Sequence, residues 1–103
     1  MADPMRIRAV DNGGHVEVKV LMSHVMETGN RKDAEGKLVP AHFIEKVTAT
    51  CCGRTVLAAE WGPSVAKNPY LAFRFKGPAK GEKLTITWTD TAGETRTDEV
   101  TVG

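Results

Sequence analysis

The 103-residue sequence has no long apolar run and no excess of charge of either sign. No segment approaches the roughly 20 consecutive apolar residues that a membrane-spanning helix needs, so we expect no membrane association. The 14 basic and 13 acidic side chains nearly cancel, which leaves a formal net charge of +1. Nucleic-acid-binding proteins usually carry a basic stripe that neutralises several phosphates. The charge balance therefore predicts no nucleic-acid partner.

The N-terminus, MADPMR, lacks the basic region, apolar stretch and small-residue cleavage site of a secretory signal. The chain is thus predicted to have no signal peptide of its own, which taken alone indicates the cytoplasm. Hydrophobic residues make up 41% and charged residues 26% of the sequence, a composition typical of a folded chain. The length predicts a single domain over residues 1–103.

Active-site motifs are missing as well. The sequence contains neither the G-x-S-x-G turn of serine hydrolases nor the H-E-x-x-H of zinc proteases, and its glycines are dispersed rather than grouped into a phosphate-binding loop. Several carboxylates have no spacing that pairs them, namely Glu27, Asp33, Glu35, Glu60, Asp90 and Asp98. We therefore expect that the chain alone is not an enzyme and has neither catalytic residues nor a cofactor.

Three histidines and two cysteines remain as candidates for metal or redox chemistry. His15, His24 and His42, with Cys51 or Cys52, supply enough ligands for iron, copper or zinc. No pair has the close spacing that preorganises a metal site, so none is predicted. A small immunoglobulin-like metal redox domain with histidine and cysteine ligands is the alternative function.

The two cysteines are adjacent in the sequence. Neighbouring Cα atoms lie about 3.8 Å apart, whereas disulfides prefer roughly 4.4–6.8 Å, so an intramolecular bond between them is not expected. Strand alternation turns Cys51 inward and places Cys52 before Gly53 in a hairpin turn. Cys52 is thus the candidate exposed thiol, and an intermolecular disulfide or a sulfur-binding role is the alternative.

Alternation of apolar and polar residues dominates the chain, in short segments separated by Gly, Pro, Asn and Asp. In one clear case, the alternation places Val16, Val18, Val20 and Met22 on one face of a strand. In the predicted strand at 43–51, Glu45 is a misfit, because the alternation places it on the apolar face. The pattern predicts seven strands, at residues 6–10, 15–22, 43–51, 55–61, 70–76, 84–90 and 94–102. This number and spacing indicate an all-β protein, an immunoglobulin-like antiparallel β-sandwich.

One long connection, residues 23–41, interrupts the regular strand spacing. Its charged part, residues 31–37, is expected to be a solvated hairpin tip, and Leu38 and Val39 are expected to return to the core.

Large apolar side chains are more numerous than the inner face of so small a sandwich requires, which favours a protein partner. Their outward members, with the start of the long connection, form the candidate interface: Met22, His24, Val25, Met26, Trp61, Tyr70, Phe73 and Phe75.

Six segments together resemble the SoxZ family and cover nearly the whole chain. They are LMSHVMETG at 21–29 with KLVP at 37–40, WGPS at 61–64, KNPY at 67–70, FRFKG at 73–77 and ITWTD at 86–90. The resemblance implies one subunit of the SoxYZ complex, on which bacteria hold sulfur intermediates during thiosulfate oxidation. In that complex the SoxY subunit carries the reactive cysteine near its C-terminus.

The resemblance further implies a non-catalytic scaffold, since the last residues of this chain, DEVTVG, contain no cysteine. The expected partner is a SoxY-like subunit in a heterodimer, with transient contacts to other sulfur-oxidation enzymes and a homo-oligomer when the partner is absent. Members of the family reach the periplasm bound to a partner that bears the export signal. The expected location is therefore periplasmic.

Overall fold

The computed structural model describes residues 3–62, 65, 67–77 and 79–103 and shows antiparallel strands in two sheets. The prediction of an immunoglobulin-like β-sandwich is confirmed. The strands are β1 (Arg6–Asp11), β2 (His15–Leu21), β3 (Ile44–Cys51), β4 (Arg54–Glu60), β5 (Tyr70–Lys76), β6 (Lys83–Asp90) and β7 (Thr95–Thr101). Within these described residues, no helix is long and apolar enough to cross a membrane.

One sheet has the strand order β1-β2-β5 and the other β4-β3-β6-β7. Backbone hydrogen bonds connect the two sheets along one edge, where the Gly103 N–H donates to Ala9 and the Gly103 carbonyl accepts from Asp11. These bonds satisfy backbone groups that an open edge would leave unpaired.

The core lies between the sheets and follows the strand alternation. Every second residue of β2 and β6, and of β3 from Val47 onward, is fully or almost fully buried because successive side chains of a strand point to opposite faces. The largest of these side chains are Trp88, Ile44, Leu84, Ile86, Val16, Val18, Val20 and Val47. Each buried side chain of this size contributes about 1.5–3 kcal/mol relative to its exposed state.

The misfit at Glu45 is resolved by a β-bulge. The pairing of β3 with β6 shifts between Ile44 and Lys46, so Glu45 is the extra residue. Ile44 and Val47 are buried while Glu45 and Lys46 are both exposed. The prediction that Glu45 lies on the apolar face is therefore wrong.

The long connection forms a hairpin held by two isolated bridges, Glu27 with His42 and Lys32 with Leu38. Its charged tip is exposed, as predicted. Leu38, however, is 61% exposed, so the prediction that it returns to the core is wrong. Its pairing with Lys32 keeps it in the tip.

The topology gives the sandwich two chemically different ends. We call the one formed by residues 23–25, 41–43, 67–69 and 90–94 the histidine end, because β2 and β6 finish there and β3 and β5 begin there. The other end, which we call the cysteine end, holds the β1–β2 turn at residues 12–14 and the β3–β4 turn at residues 52–53.

Candidate functional site

Asp90 is the centre of the histidine end. It is the last residue of β6, it shares the inward face with Trp88, and it is only 1% exposed. Its Oδ1 accepts the backbone N–H groups of Ala92 at 3.0 Å and Glu94 at 2.9 Å, and its Oδ2 lies within hydrogen-bonding distance of two histidines. The carboxylate therefore has four partners that fix its position.

His24 is the first of those histidines, and its surroundings determine its tautomer. The Nδ1 atom accepts the N–H of Met26 at 3.1 Å, so the ring proton resides on Nε2, which donates to Asp90 at 2.9 Å. The backbone of His24 is held by Asn68, whose Oδ1 accepts the His24 N–H and whose N–H donates to the His24 carbonyl. His24 is thereby fixed as a neutral imidazole with little freedom to move.

His42 reaches Asp90 from the hairpin. Its backbone exchanges two hydrogen bonds with Glu27, at 2.7 and 3.0 Å, and its Nε2 lies 2.7 Å from Asp90 Oδ2. An ionised carboxylate only accepts hydrogen bonds, so His42 Nε2 is also the donor. Unlike His24, with 4% side-chain exposure, His42 is 37% exposed.

The environment of Asp90 keeps it charged. Burial by itself raises the pKa of the carboxyl, but the hydrogen bonds from His24, His42 and the Glu94 N–H outweigh burial and hold the pKa below its ordinary value. A buried anion with four donors is therefore the stable form.

The chain path around the histidines includes two uncommon backbone conformations. Met26 has φ +48° and Asn68 has φ +50°. Asn tolerates this left-handed region, but Met adopts it at a cost on the order of 1–3 kcal/mol. The bend at Met26 brings its N–H back to His24 Nδ1, and its sulfur accepts the Ile44 N–H at 3.4 Å.

A cavity of about 240 Å³ opens beside the histidines. Its lining includes both histidine rings, Trp88, and three further charged groups, Asp3, Lys67 and Glu94. The Trp88 indole packs edge-on against His24 at 5.1 Å, and its Nε1 has no hydrogen-bond partner among the described residues. An unpaired buried donor costs about 1–3 kcal/mol, which the burial of the indole must offset.

The predicted interface residues fall into two groups. Met22, His24, Met26 and Phe75 are buried, and Trp61 and Phe73 are half-buried. Val25 and Tyr70 are 47% and 61% exposed; Val25 lies at the histidine end, and Tyr70 is the first residue of β5 beside it. Pro63 and Ser64, which belong to the segment at 61–64, lie outside the described residues.

The cysteines lie far from the histidines. Cys51 pairs with Leu84 across the sheet, six residues along β6 from Asp90, which corresponds to about 20 Å. Cys51 is buried, and this burial raises the pKa of its thiol to about 11, whereas Cys52 is exposed. His24 and His42 therefore share no metal site with either cysteine in this structure. His15 starts β2 at the cysteine end, and its side chain is 42% exposed.

Asp90 was predicted only as one of six carboxylates without a paired spacing, although the sequence does contain a signal for it. Leu84, Ile86 and Trp88 alternate inward along β6, and Asp90 continues the same alternation. The inward row of β2 likewise continues beyond the strand, through Met22 and His24 to Met26. A polar residue on an apolar row indicates either a paired buried group or a site.

A comparison with models of known families matches the model described as Sulphur oxidation protein SoxZ over residues 5–101. The chain belongs to the SoxZ family. Family membership makes it a protein of sulfur oxidation, and the match spans every strand of the sandwich. A search among curated proteins found no match.

Proposed function

We propose that this chain is the non-catalytic scaffold subunit of a heterodimeric sulfur carrier of the SoxYZ type. A SoxY-like partner bears the sulfur intermediates on a cysteine near its own C-terminus. The chain buries one surface of that partner and supports the base of the cysteine arm, while the thiol remains free to reach successive enzymes. The isolated chain does not turn over thiosulfate.

The observation that carries this proposal is the position of the exposed apolar side chains. Of the four large exposed apolar side chains among the described residues, Val25 lies at the histidine end, and Leu21 and Tyr70 are the strand residues next to it, with 47%, 42% and 61% exposure. Leu21 and Tyr70 are direct cross-strand partners on β2 and β5, so their side chains adjoin on the outer face of the sheet. Apolar and aromatic side chains are enriched at the centres of protein interfaces.

The proposed complex acts in the periplasm, and this chain is exported while bound to the partner that bears the signal. Contacts with the other sulfur-oxidation enzymes are transient and run through the complex. In the absence of the partner, the exposed apolar side chains favour self-association.

Sedimentation velocity with the SoxY-like partner at micromolar concentration tests the proposal. A one-to-one complex is expected, and Tyr70→Asp or Val25→Asp should weaken it at least about tenfold. Leu38→Asp is the matched control, because Leu38 is as exposed as Tyr70 but lies in the hairpin tip. If the wild-type chain does not bind the partner, the proposal is refuted. If Leu38→Asp weakens binding as much as Tyr70→Asp, the proposed position of the interface is refuted.

A further inference from the structure

The His42 ring has one nitrogen without a hydrogen-bond partner in the described part of the chain. Asp90 takes the Nε2–H at 2.7 Å, which leaves Nδ1 with a lone pair on a ring that is 37% exposed and lines the cavity. A carboxylate that fixes the tautomer of a histidine and leaves the opposite nitrogen basic is the arrangement found in acid–base dyads. His42 is therefore chemically different from His24, whose two nitrogens are both occupied.

The same three side chains have the composition of a divalent metal site. One ligand atom from each of His24, His42 and Asp90 lies within 4.8 Å of the others. The tautomer of His24 argues against a metal site. The nitrogen that binds a metal must offer a lone pair, and the other nitrogen of the same ring normally donates a hydrogen bond. In His24, Nε2 carries the proton and Nδ1 accepts from Met26. The geometry is that of a hydrogen-bonded dyad with His24 as its support.

We propose that His42, oriented by Asp90, accepts the proton of a thiol that enters the cavity, and that this thiol is the carrier cysteine of the SoxY-like partner. The inference rests on the proposed function. In this step the S–H bond breaks, its electron pair stays on sulfur, and an N–H bond forms at His42 Nδ1. The products are a thiolate and an imidazolium, and no oxidant or reductant takes part.

Asp90 is in direct contact with the ring that becomes positive in this step. Asp90 Oδ2 lies 2.7 Å from His42 Nε2, and Asp3, Glu94 and Lys67 also line the cavity. Glu27 is paired with Arg31 beside the His42 backbone. A carboxylate in the position of Asp90 stabilises the imidazolium that forms when the ring takes up a proton. A neighbouring imidazolium in turn lowers a cysteine pKa from about 8.5 into the range of roughly 3.5–7.5.

The test measures the alkylation rate of the partner's cysteine against pH in the one-to-one complex. Iodoacetamide is the probe, and mass spectrometry reads the partner's own peptide, so that Cys51 and Cys52 do not contribute. The midpoint of the curve of alkylation rate against pH should lie at least about one pH unit lower with the wild-type chain than with His42→Gln. At pH values below both midpoints, the alkylation rate should be about tenfold higher with the wild-type chain. Asp90→Asn should shift the midpoint in the same direction as His42→Gln, because it removes the orientation of His42.

His15→Gln is the matched control, since His15 is similarly exposed but lies at the cysteine end. It should leave the midpoint unchanged. Equal midpoints for wild type and His42→Gln, with the complex intact, overturn the inference, whereas failure of the complex to form overturns the proposed function instead. Long-range ¹H–¹⁵N spectra of the chain alone should show Nε2–H tautomers for His24 and His42. Stoichiometric zinc binding that displaces both ring protons overturns the dyad.

Discussion

Asp90 is the residue on which the histidine end depends most. Its side chain is 0% exposed and connects three parts of the chain that are distant in sequence: the segment after β2, the base of the hairpin, and the β6–β7 turn. Removing one partner of a buried charged network leaves the others without a partner in an apolar environment. The network therefore contributes more to the free energy of unfolding than the sum of its separate hydrogen bonds indicates.

Asp90→Ala should lower the free energy of unfolding by about 3–5 kcal/mol, because two imidazole N–H groups and two backbone N–H groups lose their acceptor. Asp98→Ala is the comparison: Asp98 is half-buried, pairs with Arg96 and accepts the Met5 N–H, so the expected loss is about 1 kcal/mol. Urea unfolding monitored by Trp fluorescence measures both. Similar losses for the two variants would contradict the central role of Asp90.

The same carboxylate gives the fold an acid dependence with a definite sign. Folding lowers the pKa of Asp90. Its contribution to the stability of the fold is therefore fully present above the ordinary Asp pKa of about 3.9 and is lost as the pH falls through the lower pKa of the folded state. Between these two values the unfolded state binds more protons, so stability rises with pH. Asp90→Asn should show a shallower slope in this window than wild type.

Among the elements, the β3–β4 turn carries the clearest local conflict. Cys51 pairs with Arg54, so the turn has two central residues, and both have positive φ: +59° at Cys52 and +74° at Gly53. This is a type I′ turn, which favours Asn-Gly because Asn and Gly tolerate the left-handed region. Cys at the first position carries a conformational cost.

Cys52→Asn should therefore raise the free energy of unfolding by about 0.5–1 kcal/mol, which corresponds to a melting temperature several degrees higher. Cys52→Ser is the control, because it removes the thiol without supplying a residue suited to positive φ, and it should change stability little. Differential scanning calorimetry under reducing conditions distinguishes the two. An equal gain from both substitutions would attribute the effect to the thiol rather than to the turn.

Alternation of residues predicted the strands well because each sheet has one face on a common core. Seven predicted strands match the observed ones to within two residues at each end. The alternation failed at Glu45, where a β-bulge interrupts the period of two. The prediction failed at Leu38 as well, because its backbone bridge to Lys32 keeps this apolar side chain in the hairpin tip. His24, His42 and Asp90 meet only through the packing of segments up to 66 residues apart, a contact that spacing in the sequence cannot reveal.

At the scale of the whole molecule, the two kinds of chemistry lie at opposite ends of the strands, about 20 Å apart along β6, in a body of 54 × 19 × 19 Å. His24, His42, the cavity and Val25 lie at the histidine end, and Leu21 and Tyr70 are the strand residues next to it. The exposed thiol occupies the cysteine end. A partner that docks at the first end need not approach the second, so the two ends can be tested independently.

Attachment of a bulky maleimide–polyethylene glycol to Cys52 should leave the affinity for the SoxY-like partner unchanged within about twofold, because this turn is about 20 Å from Asp90 along β6. The same label on Val25→Cys, in a chain that also carries Cys52→Ser, should abolish the complex by occupying the proposed interface. Cys51 needs no substitution, since its burial and a pKa of about 11 keep it unreactive at neutral pH. Unlabelled Val25→Cys controls for the substitution itself, and sedimentation velocity measures each mixture. Loss of the complex on labelling Cys52 would place the interface at the cysteine end and remove His42 from reach of the partner's thiol.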